Sequence, residues 1–116
     1  MKDEKIAQTV VELPEFITQA EKCMSPESKD EFIQYIACNP LAGKVIEGTG
    51  GARKVRWASV GHKGKSGGAR VVYYYHNIQI PIFLFTVFKK NNQGNITKKE
   101  CNLLKQIIKQ TAALYE

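Results

Sequence analysis

Basic side chains that could hold an anion are concentrated in the stretch RKVRWASVGHKGKSGGARVVYY, residues 53–74, which has six Lys or Arg residues and no Asp or Glu. Residues 48–99 carry ten basic residues and no acidic one, whereas residues 1–47 carry five basic and nine acidic residues. The net charge of +6 therefore comes from the middle of the chain. Because like charges held close together repel each other, we interpret this segment as the binding surface for an anionic ligand.

Strand periodicity predicts how these basic residues are grouped. Alternation of side chains places Lys54 and Arg56 on one face of a strand. In the next predicted strand Arg70 shares a face with Tyr74, and the strand after it ends in two adjacent lysines. If the three strands pair side by side, we expect the basic residues to form one patch with no carboxylate to neutralise it.

Other kinds of chemistry have little support in the sequence. The loop SVGHKGKS has Ser59 where a phosphate-binding P-loop needs its first glycine, and a strand is predicted where that motif needs a helix. There is no D-x-D, H-E-x-x-H or G-x-S-x-G pattern. The three cysteines are widely spaced and predict neither a disulfide framework nor a zinc site. We interpret His62 and His76 as surface or hydrogen-bonding residues, and we expect no metal and no cofactor.

The first part of the chain predicts one strand and two helices. Residues 6–13, IAQTVVEL, are rich in β-branched residues, and Pro14 after them suits the first turn of a helix. Ser25 is a suitable cap for a second helix, which the Asn-Pro pair at 39–40 should end. Residues 41–52, LAGKVIEGTGGA, fit either a tight turn or a short irregular strand.

The second part predicts three strands and a helix. The strands are expected at about residues 53–59, 69–77 and 80–90. The last of them contains IPIFLFTVF, which is apolar on both faces and therefore indicates a central strand covered on each side. Thr97 and Glu100 form the capping box of the final helix.

The order β-α-α-β-β-β-α predicts a single α+β domain over residues 1–116, with two N-terminal helices and one C-terminal helix covering one face of a mainly antiparallel sheet. No apolar run is long enough for a membrane span, and the start of the chain has no signal-peptide pattern. We expect a soluble cytoplasmic protein with no membrane partner.

Three segments, GTGGARKVRWAS, GGARVVYYY and FTVFKKN, closely resemble the HigB-like branch of the RelE/ParE toxin superfamily, and the likeness runs from about residue 39 to the final helix. The resemblance implies a RelE-like fold and the toxin of a type II toxin-antitoxin system. It further implies a ribosome-dependent endoribonuclease that cuts translated mRNA on the 70S ribosome. The implied partner is a cognate antitoxin, a helix-turn-helix protein similar to HigA.

The resemblance also assigns roles to individual residues. The catalytic positions that it implies are Lys54, Arg56, Arg70 and Lys90. The RNA-binding positions that it implies are Arg53, Lys63, Lys65, Tyr74 and Lys89. Many RelE relatives place an aromatic residue shortly after the last basic one; here NNQGNITKK has none, so Tyr74 is the substitute for stacking on a base.

The chemistry of this activity is consistent with the residues. RNA carries its own nucleophile in the 2′-OH, so that cleavage requires positioned cations rather than a metal. Arginine side chains hold the phosphate and stabilise its growing charge, and a lysine transfers a proton; which lysine does so stays open. Two alternatives remain: a ParE-like inhibitor of DNA gyrase, and a degenerate member that only binds its antitoxin.

Overall fold

The computed structural model describes residues 7–57, 68–89 and 96–115. The elements in chain order are β1 (Val10–Glu12), α1 (Pro14–Cys23), α2 (Pro26–Cys38), β2 (Lys44–Val45), β3 (Ala52–Trp57), β4 (Ala69–Tyr74), β5 (Ile82–Lys89) and α3 (Lys98–Leu114). The predicted α+β class is confirmed, with β2 added inside the segment that fitted a turn or a short strand. No helix within the described ranges is long and apolar enough to cross a membrane.

The five strands form one sheet in the order β1-β5-β4-β3-β2. Among the strands of the described residues only β1 and β5 pair in parallel, so the sheet is mainly antiparallel, as predicted. The interior position of β5, between β1 and β4, agrees with its apolar sequence. Strand β4 ends at Tyr74, earlier than the predicted residue 77, and β5 begins at Ile82.

Helices cover both faces of the sheet, so the prediction that they cover one face is wrong. On the face that we call the α1/α2 face, helix residues pack on the sheet in a core that includes Phe16, Phe32, Ile36, Val71, Tyr73 and Leu84. On the opposite face, the α3 face, the core includes Ala52, Val72, Tyr74, Phe83, Leu104 and Ile108. The physical reason lies in β4 and β5, whose successive residues are buried and therefore need cover on both sides.

The helix starts follow the capping signals of the sequence. The backbone N–H of Ser28 donates to Ser25 Oγ over 3.0 Å, and Pro26 takes the first helical position of α2. At α3 the capping box is complete, because the Glu100 N–H donates to Thr97 Oγ1 and the Thr97 N–H donates to Glu100 Oε1. Both caps satisfy backbone donors that a helix start leaves without intrahelical partners.

The turn between β2 and β3 depends on glycine and on one buried threonine. Gly50 and Gly51 have φ angles of 80° and 126°, a region that side chains with a Cβ rarely adopt. Thr49 is fully buried; its Oγ1 donates to the Ile46 carbonyl and accepts from the Ala52 N–H. This turn brings β2 back alongside β3 and sets their register.

Candidate anion-binding site

Cross-strand register groups four cations on the α3 face. Lys44 lies directly opposite Lys54, and Arg56 lies directly opposite Arg70. Directly opposed residues of an antiparallel pair point to the same face, and residues two apart on a strand share it as well. Lys44, Lys54, Arg56 and Arg70 therefore form one group, which we call the cationic cluster.

The cationic cluster contains two opposed pairs of like charge. Like charges directly opposite each other across an antiparallel pair are destabilising. Within the described parts of the chain, none of the four is ion-paired with a carboxylate; the ion pair found there joins Lys29 to Glu12 at 2.6 Å, on another part of the surface. An anion bound between the pairs would offset this repulsion.

Arg70 shows the clearest need for an acceptor. Its Nη1 atom is buried and has no hydrogen-bond partner among the described residues. A buried donor without a partner costs about 1–3 kcal/mol, and more for a charged group. A phosphate oxygen is the acceptor that a guanidinium binds best, through paired charge-assisted hydrogen bonds.

Lys44 is a member of the cluster that sequence reasoning missed. Lys44 belongs to the acidic first part of the chain. Strand β2 has only two residues, so it gives no periodic pattern that would predict a strand there. The glycine-rich turn GTGG is a sequence signal for this pairing, because a turn there reverses the chain and places the residues before it beside β3. Lys44 is also exposed, so its ammonium group is accessible to a ligand.

Two of the expected RNA-binding residues lie away from the cluster. Arg53 is on the α1/α2 face, where its Nη1 donates to the Gly43 carbonyl over 2.7 Å. Lys89 pairs with Ala69 and is also on the α1/α2 face, at the exposed end of β5. Its charge acts on Cys23: burial raises the pKa of that thiol, and the positive charge of Lys89 opposes the rise.

Tyr74 is on the expected face but is not exposed for stacking. It lies opposite Ala52 and near Phe83, in the part of the sheet that α3 covers, and only 5% of its surface is accessible. Its hydroxyl lies 3.2 Å from His76 Nδ1. A base therefore cannot stack on Tyr74 in this structure, contrary to the expectation from the sequence.

Three expected residues, Lys63, Lys65 and Lys90, lie outside the described residues, as does His62. Lys54, Arg56 and Arg70 are thus the predicted positions that the structure brings together. Among the described residues no three His, Cys, Asp or Glu side chains are grouped as metal ligands.

A buried tyrosine positions the segment that carries Lys44. Tyr73 Oη accepts from the Gly43 N–H and donates to the Pro40 carbonyl, each over 2.8 Å. Gly43 is packed so tightly that a Cβ there would lie 2.9 Å from the Lys54 carbonyl oxygen. These contacts hold β2 against β3 and keep Lys44 opposite Lys54.

Comparison with known proteins shows the family and agrees with the fold. The family model of the RelE toxin of the RelE/RelB toxin-antitoxin system matches residues 37–116, and the chain belongs to this family. It is therefore a toxin of the RelE/ParE superfamily, as its sequence segments indicated.

A solved structure shows the same architecture. The toxin RelE of E. coli, in a free-state mutant with two arginines replaced by alanine, superposes with a TM-score of 0.53 at 12% identity. The match covers 94% of this chain and 98% of the RelE chain. At that identity the similarity concerns the fold, and the RelE-like fold predicted from the sequence is confirmed.

Proposed function

We propose that this toxin is a metal-independent endoribonuclease that cuts translated mRNA on the 70S ribosome, as a member of the HigB-like branch. The observation that carries the proposal is the buried Arg70 Nη1 without a described partner, in a cluster of unneutralised cations. A phosphodiester supplies the oxygens that this nitrogen lacks and the negative charge that the cluster lacks.

The proposed reaction uses the ribose as nucleophile. The 2′-oxygen bonds to the adjacent phosphorus as a base takes its proton, the bond to the 5′-oxygen breaks, and an acid protonates that leaving oxygen. Arg56 and Arg70 bind the non-bridging oxygens, whose charge grows in the transition state. Lys54 and Lys90 are the proposed proton carriers, and Lys44, Lys63 and Lys65 bind flanking phosphates.

The proposed partners follow from this activity. The toxin family implies an antitoxin, for which we propose a helix-turn-helix protein similar to HigA. The substrate is mRNA held in the ribosome, so the proposed location is the cytoplasm, where translation takes place.

Inhibition of DNA gyrase is the second candidate, and the cationic cluster argues against it. A toxin that acts only by protein contact does not need a buried guanidinium nitrogen without a described partner within a cluster of cations. A member that only binds its antitoxin could keep these charges, because an acidic partner would neutralise them.

The decisive test is induction of the toxin in bacterial cells, followed by mapping of transcript 5′ ends and of DNA breaks. We expect new 5′ ends inside translated frames, and we expect Arg70→Ala to abolish them. Intact transcripts with accumulating DNA breaks would identify a gyrase inhibitor. Unimpaired growth with neither lesion would identify a member that only binds its antitoxin.

A further inference from the structure

An apolar groove runs along β5, between the start of α1 and helix α3, with a volume of about 590 Å³. Its apolar lining includes Leu13, Phe85, Phe88, Ile96, Leu103 and Ile107. The volume falls within the range of about 300–1,000 Å³ that is typical of small-molecule sites. Leu103 is 58% exposed, so this part of the apolar lining is open to a ligand.

The groove is continuous with the cationic cluster. Phe88, which lines the groove, lies directly opposite Arg70 on the neighbouring strand, and Thr86 lies directly opposite Val72. Neighbouring strands are about 4.8 Å apart, so the groove begins one strand away from the unpaired guanidinium nitrogen. An apolar aromatic wall thus adjoins a phosphate-binding cation.

We propose that this groove binds a nucleobase of the substrate RNA, with Phe88 stacking on the base whose phosphate Arg70 holds. The inference rests on the proposed function and adds a base-binding site to it. A nucleotide matches the surface because it joins a flat, largely apolar ring to a charged phosphate through one ribose. Stacking on aromatic side chains is the usual way in which proteins bind unpaired bases.

Two polar residues of the groove fit the same ligand. Gln19 and Glu15 line it near the start of α1, and their oxygens can accept hydrogen bonds from the amino groups on base edges. In a mainly apolar site of this kind, a small number of polar groups fixes the orientation of the ligand.

The proposal is tested with two oligoribonucleotides of equal length and charge. One has all its bases, and the other lacks the bases of its central nucleotides. Both carry 2′-O-methyl groups, which prevent cleavage. Binding is measured by fluorescence anisotropy for wild type, Phe88→Leu and Phe88→Tyr. Leucine keeps an apolar contact but removes the aromatic face, and tyrosine keeps that face. Trp57 packs against Phe32 on the other side of the sheet, so its emission checks the fold of each variant.

We expect wild type and Phe88→Tyr to bind the complete oligonucleotide about 5-fold to 150-fold more tightly than the abasic one. Phe88→Leu should lose most of this ratio while its affinity for the abasic oligonucleotide stays unchanged. Equal binding of both oligonucleotides by wild type, or an unchanged ratio in Phe88→Leu, would overturn the base site and leave the ribonuclease proposal standing. Failure of wild type to bind either one would overturn the base site, whereas the ribonuclease proposal, whose substrate is mRNA on the ribosome, is tested by the mapping of transcript 5′ ends.

Discussion

Two arginines of one strand show how far the role of a residue depends on its face. Arg53 and Arg56 are both in β3, but Arg53 donates to the Gly43 carbonyl on the α1/α2 face, whereas Arg56 lies opposite Arg70 on the α3 face. The resemblance gave Arg53 an RNA-binding role and Arg56 a catalytic role, so both were expected at the RNA. The hydrogen bond of Arg53 indicates a role in the fold, and we propose that Arg56 contacts the ligand.

A matched pair of substitutions separates these two roles. We expect Arg53→Met to lower the free energy of unfolding by about 1 kcal/mol, because the hydrogen bond to Gly43 is lost, and to leave RNA cleavage nearly unchanged. Arg56→Met should change stability by less than about 0.5 kcal/mol and slow cleavage by about 10²-fold. Urea unfolding and single-turnover cleavage measure the two effects. The reverse outcome would contradict the assignment of faces to functions.

The buried hydroxyl of Tyr73 gives a prediction about stability. Tyr73→Phe leaves the Gly43 N–H and the Pro40 carbonyl without their partner, so we expect a loss of about 1–3 kcal/mol in the free energy of unfolding. Tyr35→Phe is the control, because Tyr35 is an exposed residue with 39% of its surface accessible, and it should change the free energy of unfolding by less than about 0.5 kcal/mol. Equal effects in urea unfolding would show that the Tyr73 hydroxyl does not hold the segment.

The same hydroxyl makes stability depend on alkaline pH. Burial raises the pKa of Tyr73 above its ordinary value of 10.0, so the folded state keeps a proton that the unfolded state loses. The resulting stabilisation is fully present below pH 10 and is lost as the pH rises through the folded-state pKa. Wild type should therefore lose stability more steeply above pH 10 than Tyr73→Phe does, which urea unfolding at a series of pH values can measure.

At the scale of elements, the short strand β2 adds a cation to the site. When log affinity for single-stranded RNA is plotted against log salt concentration, the loss of one phosphate contact makes the negative slope shallower by about 0.7. We therefore expect Lys44→Ala to make the salt dependence of RNA binding shallower by about that amount. Lys22→Ala, at an exposed position of α1 on the opposite side of the sheet, should leave it unchanged. Equal slopes for the two variants would remove Lys44 from the RNA surface.

Local patterns predicted the longer elements well and the short ones poorly. The Thr97 and Glu100 capping box fixed the start of α3, and the apolar run before Lys89 fixed β5, because both signals lie within one segment. Strand β2 has two residues and exists because Tyr73, from β4, holds Gly43 in place. That contact joins residues 30 positions apart, and no local pattern contains it.

At the scale of the whole molecule, charge is separated between the two sides of the sheet. Away from the groove, the exposed acidic residues of α1 and α2 are Glu21, Glu27, Asp30 and Glu31. The cationic cluster lies on the α3 face. Such an arrangement orients the protein in the field of RNA, with the cationic side toward the phosphates. The sequence predicted the separation along the chain, but single-segment periodicity cannot show that α3 and the first two helices lie on opposite faces.

This separation predicts how an antitoxin neutralises the toxin. A partner that masks the cationic cluster needs complementary charge, so we expect a flexible, acidic segment of the antitoxin to bind there. Its affinity should fall steadily as salt is raised, because screening weakens exposed charge pairs. Titration of the complex from low to high salt measures this dependence. An affinity that does not change with salt would indicate apolar docking at another surface.

The central claim is that Arg70 holds the scissile phosphate, and single-turnover cleavage of mRNA on programmed ribosomes tests it most directly. We expect Arg70→Ala to slow cleavage by about 10²-fold to 10³-fold, while the variant stays folded and still binds antitoxin. Arg70→Lys should recover only part of the rate, because a point charge does not reproduce the paired hydrogen bonds of a guanidinium. A folded Arg70→Ala protein that cleaves at the wild-type rate would contradict the claim.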